Sequence, residues 1–236
     1  MVRFLHIVAI LFFSLNLTAQ KKGGLKLHFV HPVGDYQMLQ LDSGFVFNQK
    51  DSMVIHSLRY YISDIKLFQN NLEVYSENNG YHLIDLSDPS SLYIELKLIK
   101  GIHYDEISFN LGIDSATNTA GALGGALDPS KGMYWSWQSG YINLKLEGKS
   151  NVSPQFGHQF QYHLGGYLYP NLAIQNIRLK TNRKLGSELN IAFDLEQWLL
   201  QLPFNVQQHI MSPSKNAVQI SIAAAKAFKV WDAYKN

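Results

Sequence analysis

The chain has 236 residues, 46% of them apolar, 13% aromatic and 16% charged, with 20 basic against 18 acidic side chains and no cysteine. This composition excludes disorder, collagen and coiled coil, and a formal charge of +2 offers no electrostatic footprint for nucleic acid. Disulfides, thiolate-held zinc and cysteine nucleophiles are excluded with the thiols.

The first residues are Met1-Val2-Arg3, then an apolar run from Phe4 through Leu17, then Thr18-Ala19-Gln20. A short basic end, an apolar centre and a small residue make a secretory signal, with cleavage expected after Ala19. Ser14 and Asn16 break the run far short of the roughly 20 apolar residues that a bilayer-crossing helix needs. Residues 1–19 therefore read as a signal peptide and 20–236 as a single exported domain, soluble after cleavage. No cysteine stands at the cut to carry a lipid.

From Leu25 to Leu195 the dominant period is two, in short segments divided by polar or glycine-bearing turns, which is the signature of strands. Leu25, Leu27, Phe29 and His31 share one phase, and Ile107, Phe109, Leu111 and Ile113 another. Ile142, Leu144 and Leu146 alternate with Asn143, Lys145 and Glu147. Further strands are expected over 58–68, 81–86, 92–99, 158–164, 172–181 and 188–195, nine in all. Asn70-Asn71, Glu77-Asn78-Asn79-Gly80 and Asn182 supply turn chemistry between them. With no helix-length pattern between strands, the expected fold is mainly β, an antiparallel two-sheet β-sandwich.

Two stretches depart from the strand pattern. Asp114 to Lys131 is rich in Ala, Gly and Asn and too long for an idle connection, so it reads as a long central loop. Near the C-terminus, Asp194 to Leu202 reads as a short helix, and Ser212-Pro213-Ser214 caps a second running to about Phe228.

The chemistry concentrates in four segments. Gly132 to Tyr141 holds Met133, Trp135 and Trp137, the two indoles pointing the same way on a strand. In Phe160 to Tyr167, His163 falls out of phase with Phe160, Tyr162 and Leu164 and so faces away from that strand's most apolar side. His31 continues the buried phase of the first strand. His209 and Met211 stand two apart before the last helix. Gly121 to Gly125 lacks the strand–loop–helix context of a phosphate loop, and no hydrolase motif is present, so the chain reads as a binding protein and not an enzyme.

Four stretches together resemble the MbnP-like family of periplasmic copper-binding proteins, relatives of the MopE and CorA copper proteins. They are Phe29-Val30-His31-Pro32-Val33-Gly34, the Tyr60-Tyr61-Ile62-Ser63 motif, the tryptophan segment from Gly132 to Gly148, and the His163-Leu164-Gly165-Gly166 strand. The resemblance implies a bacterial envelope location, copper as the bound ion, and in some members a tryptophan oxidised to kynurenine by a di-haem peroxidase-like partner.

Copper accepts imidazole in both oxidation states, and thioether favours Cu(I), so a thiol-free chain can serve it. On this resemblance His163 ranks first as ligand and His31 second, followed by His209, Met211 and Met133. Trp135 and Trp137 form the modifiable or shielding pair, because an intact indole has an N–H donor and no lone pair for a metal. Asp64, Asn118 and Asp128 are candidates to orient imidazoles from behind. His56, His82, His103 and His158 read as surface or hydrogen-bonded residues. The alternative is a metal-free sandwich in which Trp135, Trp137, Tyr134 and Tyr141 form an aromatic platform for a glycan or peptide.

Overall fold

A computed structural model describes residues 22–34, 37–47, 51–99, 103–138, 140–181 and 188–231. The signal segment 1–19 and the turn residue Asn182 lie outside the described residues. In chain order the strands and helices are β1 (Lys22–Val30), β2 (Gly44–Phe47), β3 (Asp51–Gln69), β4 (Leu72–Ser76), β5 (Tyr81–Asp85), β6 (Tyr93–Ile99), β7 (Glu106–Leu111), α1 (Ser115–Thr119), β8 (Tyr134–Trp135), β9 (Gly140–Ser150), β10 (Gln159–Gly165), β11 (Gln175–Lys180), β12 (Glu188–Phe193), α2 (Leu195–Leu199), β13 (His209–Ile210), α3 (Lys215–Lys226) and β14 (Phe228–Val230).

The fold is the mainly β sandwich that the alternation predicts. A small sheet runs β14-β12-β1-β6, and a large one runs β11-β7-β3-β9-β10-β13, with β2, β4 and β5 also pairing to β3. Leu25, Leu27 and Phe29 from the small sheet meet Tyr60, Ile62, Phe109, Leu144 and Leu146 from the large one in a common apolar core. Two pairings depart from the antiparallel expectation, because β1 runs parallel to β12 and β10 parallel to β13. Both partners come from the C-terminal part of the chain, which returns to the sheets after long connections instead of hairpins.

Strand β3, 19 residues long, changes phase twice. Its core-facing residues are Met53 and Ile55, then Leu58, Tyr60 and Ile62, then Ile65 and Leu67. A register irregularity between Ile55 and Ser57 makes the first change, and one between Ser63 and Lys66 makes the second. At the second bulge Asp64 adopts φ 52°, a left-handed conformation that Asp tolerates better than most residues. The following turn uses the same chemistry: Asn70 and Asn71, at φ 50° and 64°, join β3 to β4 as a tight hairpin.

The expected long loop contains α1 and two single 3-10 turns, at Gly125–Leu127 and Pro129–Lys131. It crosses the outer face of the large sheet, where Ile113, Leu127, Met133 and Trp135 pack on Tyr61, Tyr141 and Ile142 as a second, smaller core. Both C-terminal helices begin on the predicted caps, with Asp194 accepting from the Gln197 N–H and Ser214 from the Ala217 N–H. The last helix stops at Lys226, and Phe228 opens β14 instead of ending the helix.

The bulge at Asp64 is testable. An Asp64→Val variant, which places a β-branched residue in the left-handed region, is expected to lose about 1–2 kcal/mol of stability, while Asp64→Gly stays near wild type. Urea denaturation of the three proteins measures the difference.

Candidate functional site

His163 stands on β10 between Tyr162 and Leu164, which face the inter-sheet core, so its own side chain is on the outer face of the large sheet. It pairs across the ladder with Lys145 of β9, and its Nε2 lies 2.7 Å from Glu147 Oε1. With the Nε2 proton donated to the carboxylate, Nδ1 keeps a lone pair, the arrangement by which a carboxylate readies imidazole for a metal. That hydrogen bond, aided by Lys145 at 3.4 Å, holds the Glu147 carboxyl below the usual carboxylate range. His163 is only 6% exposed.

One further predicted donor shares this face, and a second follows it in the chain. In β13, His209 pairs with Gln161 and Ile210 with Tyr162. Ile210 turns into the core, which sends His209 outward diagonally from His163, and Met211 follows directly after the strand. His209 is exposed and Met211 is 42% exposed. The chain then passes Gly166, where a β-carbon would lie 3.1 Å from Pro213 Cβ.

The tryptophan segment folds over the same surface as a short hairpin, with Tyr134 paired to Tyr141 and Trp135 to Gly140. Trp135 is 5% exposed, and its ring occupies the space above Gly165, two residues from His163; a β-carbon there would sit 2.7 Å from Cζ3. The Trp135 Nε1–H is buried and, among the described residues, has no hydrogen-bond partner. A buried donor left unpaired is costly, so this one marks a place where a missing group or a modified ring would fit. Trp137 lies tilted against Trp135, 6.0 Å between centroids and 47° between planes, and is 66% exposed. Met133 lies fully buried in the cluster beneath.

The remaining predicted residues lie elsewhere or do other work. His31 points into the inter-sheet core, with Nε2 2.8 Å from the Tyr60 hydroxyl. Tyr60 and His163 face opposite sides of the large sheet, so His31 and His163 do not converge. Asp64 pairs with Lys66 at the bulge. Asn118 fastens α1, donating to the carbonyls of Ile113 and Asp114 and accepting from the Tyr141 N–H. Asp128 caps a 3-10 turn by accepting from the Ser130 N–H. None of these three hydrogen-bonds an imidazole among the described residues; Glu147 fills that role. Its sequence signal was the polar phase Asn143, Lys145, Glu147, read only as the wetter face of a strand. Nor do the four aromatics form an open platform, because Tyr141 is buried with Trp135 and only Trp137 is well exposed. No group of three or more His, Asp or Glu side chains able to hold an ion occurs among the described residues.

Residues 22–217 match the protein family described as MbnP. The fold is similar to that of the solved MbnP from Methylosinus trichosporium, with TM-score 0.56, 14% sequence identity, and 84% of this chain and 87% of that chain covered. No curated protein matches the sequence.

Two outcomes follow from this geometry. Gly165→Ala places a methyl against both Trp135 and the Tyr141 carbonyl, and is expected to red-shift tryptophan emission and cost about 1–3 kcal/mol by overpacking. Burial, with a smaller contribution from His28, lowers the His31 pKa from its ordinary 6.5 to about 3. The native state thus favours the neutral ring: its contribution is complete above pH 6.5 and is lost as pH falls toward 3. Between pH 7 and pH 5 this group alone removes about 2 kcal/mol, a loss expected to be missing from His31→Gln in denaturation curves at the two pH values.

Proposed function

Because the chain belongs to the MbnP family, we propose that it is an exported copper-binding protein serving acquisition, buffering or delivery, with the ion held on the outer face of the large sheet at His163. The observation that carries this reading is His163 itself: nearly buried, backed by Glu147, two residues from the Gly165 that seats Trp135, and on one face with His209, which Met211 follows two residues on. Neutral imidazole and thioether are donors that copper takes readily, and thioether favours Cu(I). His163, His209 and Met211 are the residues assigned to hold the ion, and Trp135 shields it from solvent. The protein acts by binding and not by catalysis, and the signal-like first 19 residues favour a periplasmic or secreted location.

Oxidative opening of the Trp135 indole to kynurenine by a di-haem peroxidase-like partner, which supplies the oxidant and removes the ring's C2 carbon, would turn the indole nitrogen itself into an aniline donor on the face that carries His163. The unpaired, buried Nε1–H supports Trp135 over exposed Trp137 as the modified ring. Intact mass of protein isolated from its host distinguishes a modified ring from simple shielding.

Copper titration of the purified mature protein is expected to give stoichiometric binding that His163→Ala removes. Glu147→Gln, which weakens the orientation of the ring, should reduce affinity about 10–100-fold. His31→Gln, on the other side of the sheet, should leave affinity unchanged. Wild-type affinity in His163→Ala would overturn the assignment.

A further inference from the structure

His31 is left without a role on the copper face, yet it is 5% exposed and lines a cavity of about 430 Å³ at the C-terminal end of β1. Phe29, Leu39, Leu41, Leu86 and Leu92 supply the apolar walls. The segment carrying Leu39 is tied to β1 by its own N–H, which donates to the His31 carbonyl at 2.8 Å. Among the described residues, no Asp, Glu, Lys or Arg lines the cavity. Its volume is within the range that holds small organic ligands, and a few polar groups in an apolar wall are what such sites use to orient their guest.

The polar groups narrow the chemistry. His28 is engaged, its Nδ1 3.0 Å from Asn190 Oδ1 and its ring stacked on Tyr93. Gln40 is exposed at the mouth. His31 remains. Its Nε2 lies 2.8 Å from the fully buried Tyr60 hydroxyl; with that hydroxyl donating, a neutral ring keeps its proton on Nδ1 and presents a hydrogen-bond donor. An ionised guest would lose its hydration here without a counter-charge, which an apolar wall and one neutral donor do not repay.

We propose that the cavity between β1 and the 38–41 segment is a binding site for a small, uncharged, mainly apolar molecule bearing a carbonyl acceptor, which His31 receives by hydrogen bond. The site is independent of the copper face, being on the opposite side of the large sheet.

The test uses 6-propionyl-2-(dimethylamino)naphthalene, a neutral naphthyl ketone whose emission moves to the blue in apolar surroundings, added to the mature protein. Saturable one-to-one binding with a blue shift is expected, and the His31 ring resonances should move on titration in nitrogen–proton NMR spectra, a readout that needs no variant. Leu92→Trp and Leu41→Trp, each filling the cavity from a different wall, should weaken binding at least tenfold while leaving copper affinity intact. The anionic dye 1-anilinonaphthalene-8-sulfonate should bind at least tenfold more weakly than the ketone. Absence of a saturable shift, binding that survives both cavity-filling variants, unmoved His31 resonances, or equal binding of the anion would each overturn the proposal. Because copper affinity is measured on the same proteins, failure here is separable from failure of the copper assignment.

Discussion

Strand β3 has to be buried on both faces, and the rest of the architecture follows from that demand. Tyr60 and Tyr61 are adjacent in sequence and both fully buried, yet they point to opposite sides of the sheet. Tyr60 meets the small sheet, with ring centroids 5.6 Å from Phe193 and 5.8 Å from Phe228. Tyr61 needs a second cover, which the 113–141 segment provides: Tyr61 packs edge-on to Tyr141, and its hydroxyl donates to the Ala126 carbonyl. A sandwich needs only one covered face per sheet, so this extra layer asks for a physical reason. Two large aromatics in succession on a central strand supply it, because leaving Tyr61 in water would forfeit most of the free energy of burying an aromatic of that size.

The same layer makes the candidate surface around His163. Once the tryptophan hairpin lies against Tyr61 and Ile142, its indole reaches the His163-Leu164-Gly165 end of β10, and the two glycines that follow His163 become intelligible. Gly165 leaves room for the ring, and Gly166, at φ 130°, bends the chain where a β-carbon would strike the Asn171 carbonyl. Packing thus comes before ligand chemistry on this face, since Trp135 reaches Gly165, two residues from His163, as part of the layer that covers Tyr61.

Alternation in the sequence makes the fold class and the outward direction of His163 legible, and the capping residues Asp194 and Ser214 mark the starts of the C-terminal helices. Three things were hidden by identifiable physics. The bulges in β3 shift its phase twice, so no single period-two register describes Met53 through Leu67. The parallel strands β12 and β13 carry no local mark of their partners, because pairing over such separations is decided by packing and not by turn residues. The split between His31 and His163 is hidden for a related reason: His31 continues the buried phase of its strand and His163 the outward phase of its own, but which side of the large sheet each phase meets is settled only when the two sheets are stacked. Asp64, Asn118 and Asp128 have the side chains of metal-supporting acceptors, and their backbone positions decide otherwise: a bulge, a helix clip and a turn cap use the same oxygens locally.

The parallel pairing of β1 with β12 ties Lys26 through Val30 to Glu188 through Ala192. The first strand of the sandwich must therefore wait for nearly the whole polypeptide before its sheet can close, and the loop-closure entropy of that delay falls on the folding rate more than on final stability. A nascent chain leaving the ribosome cannot complete this sheet early.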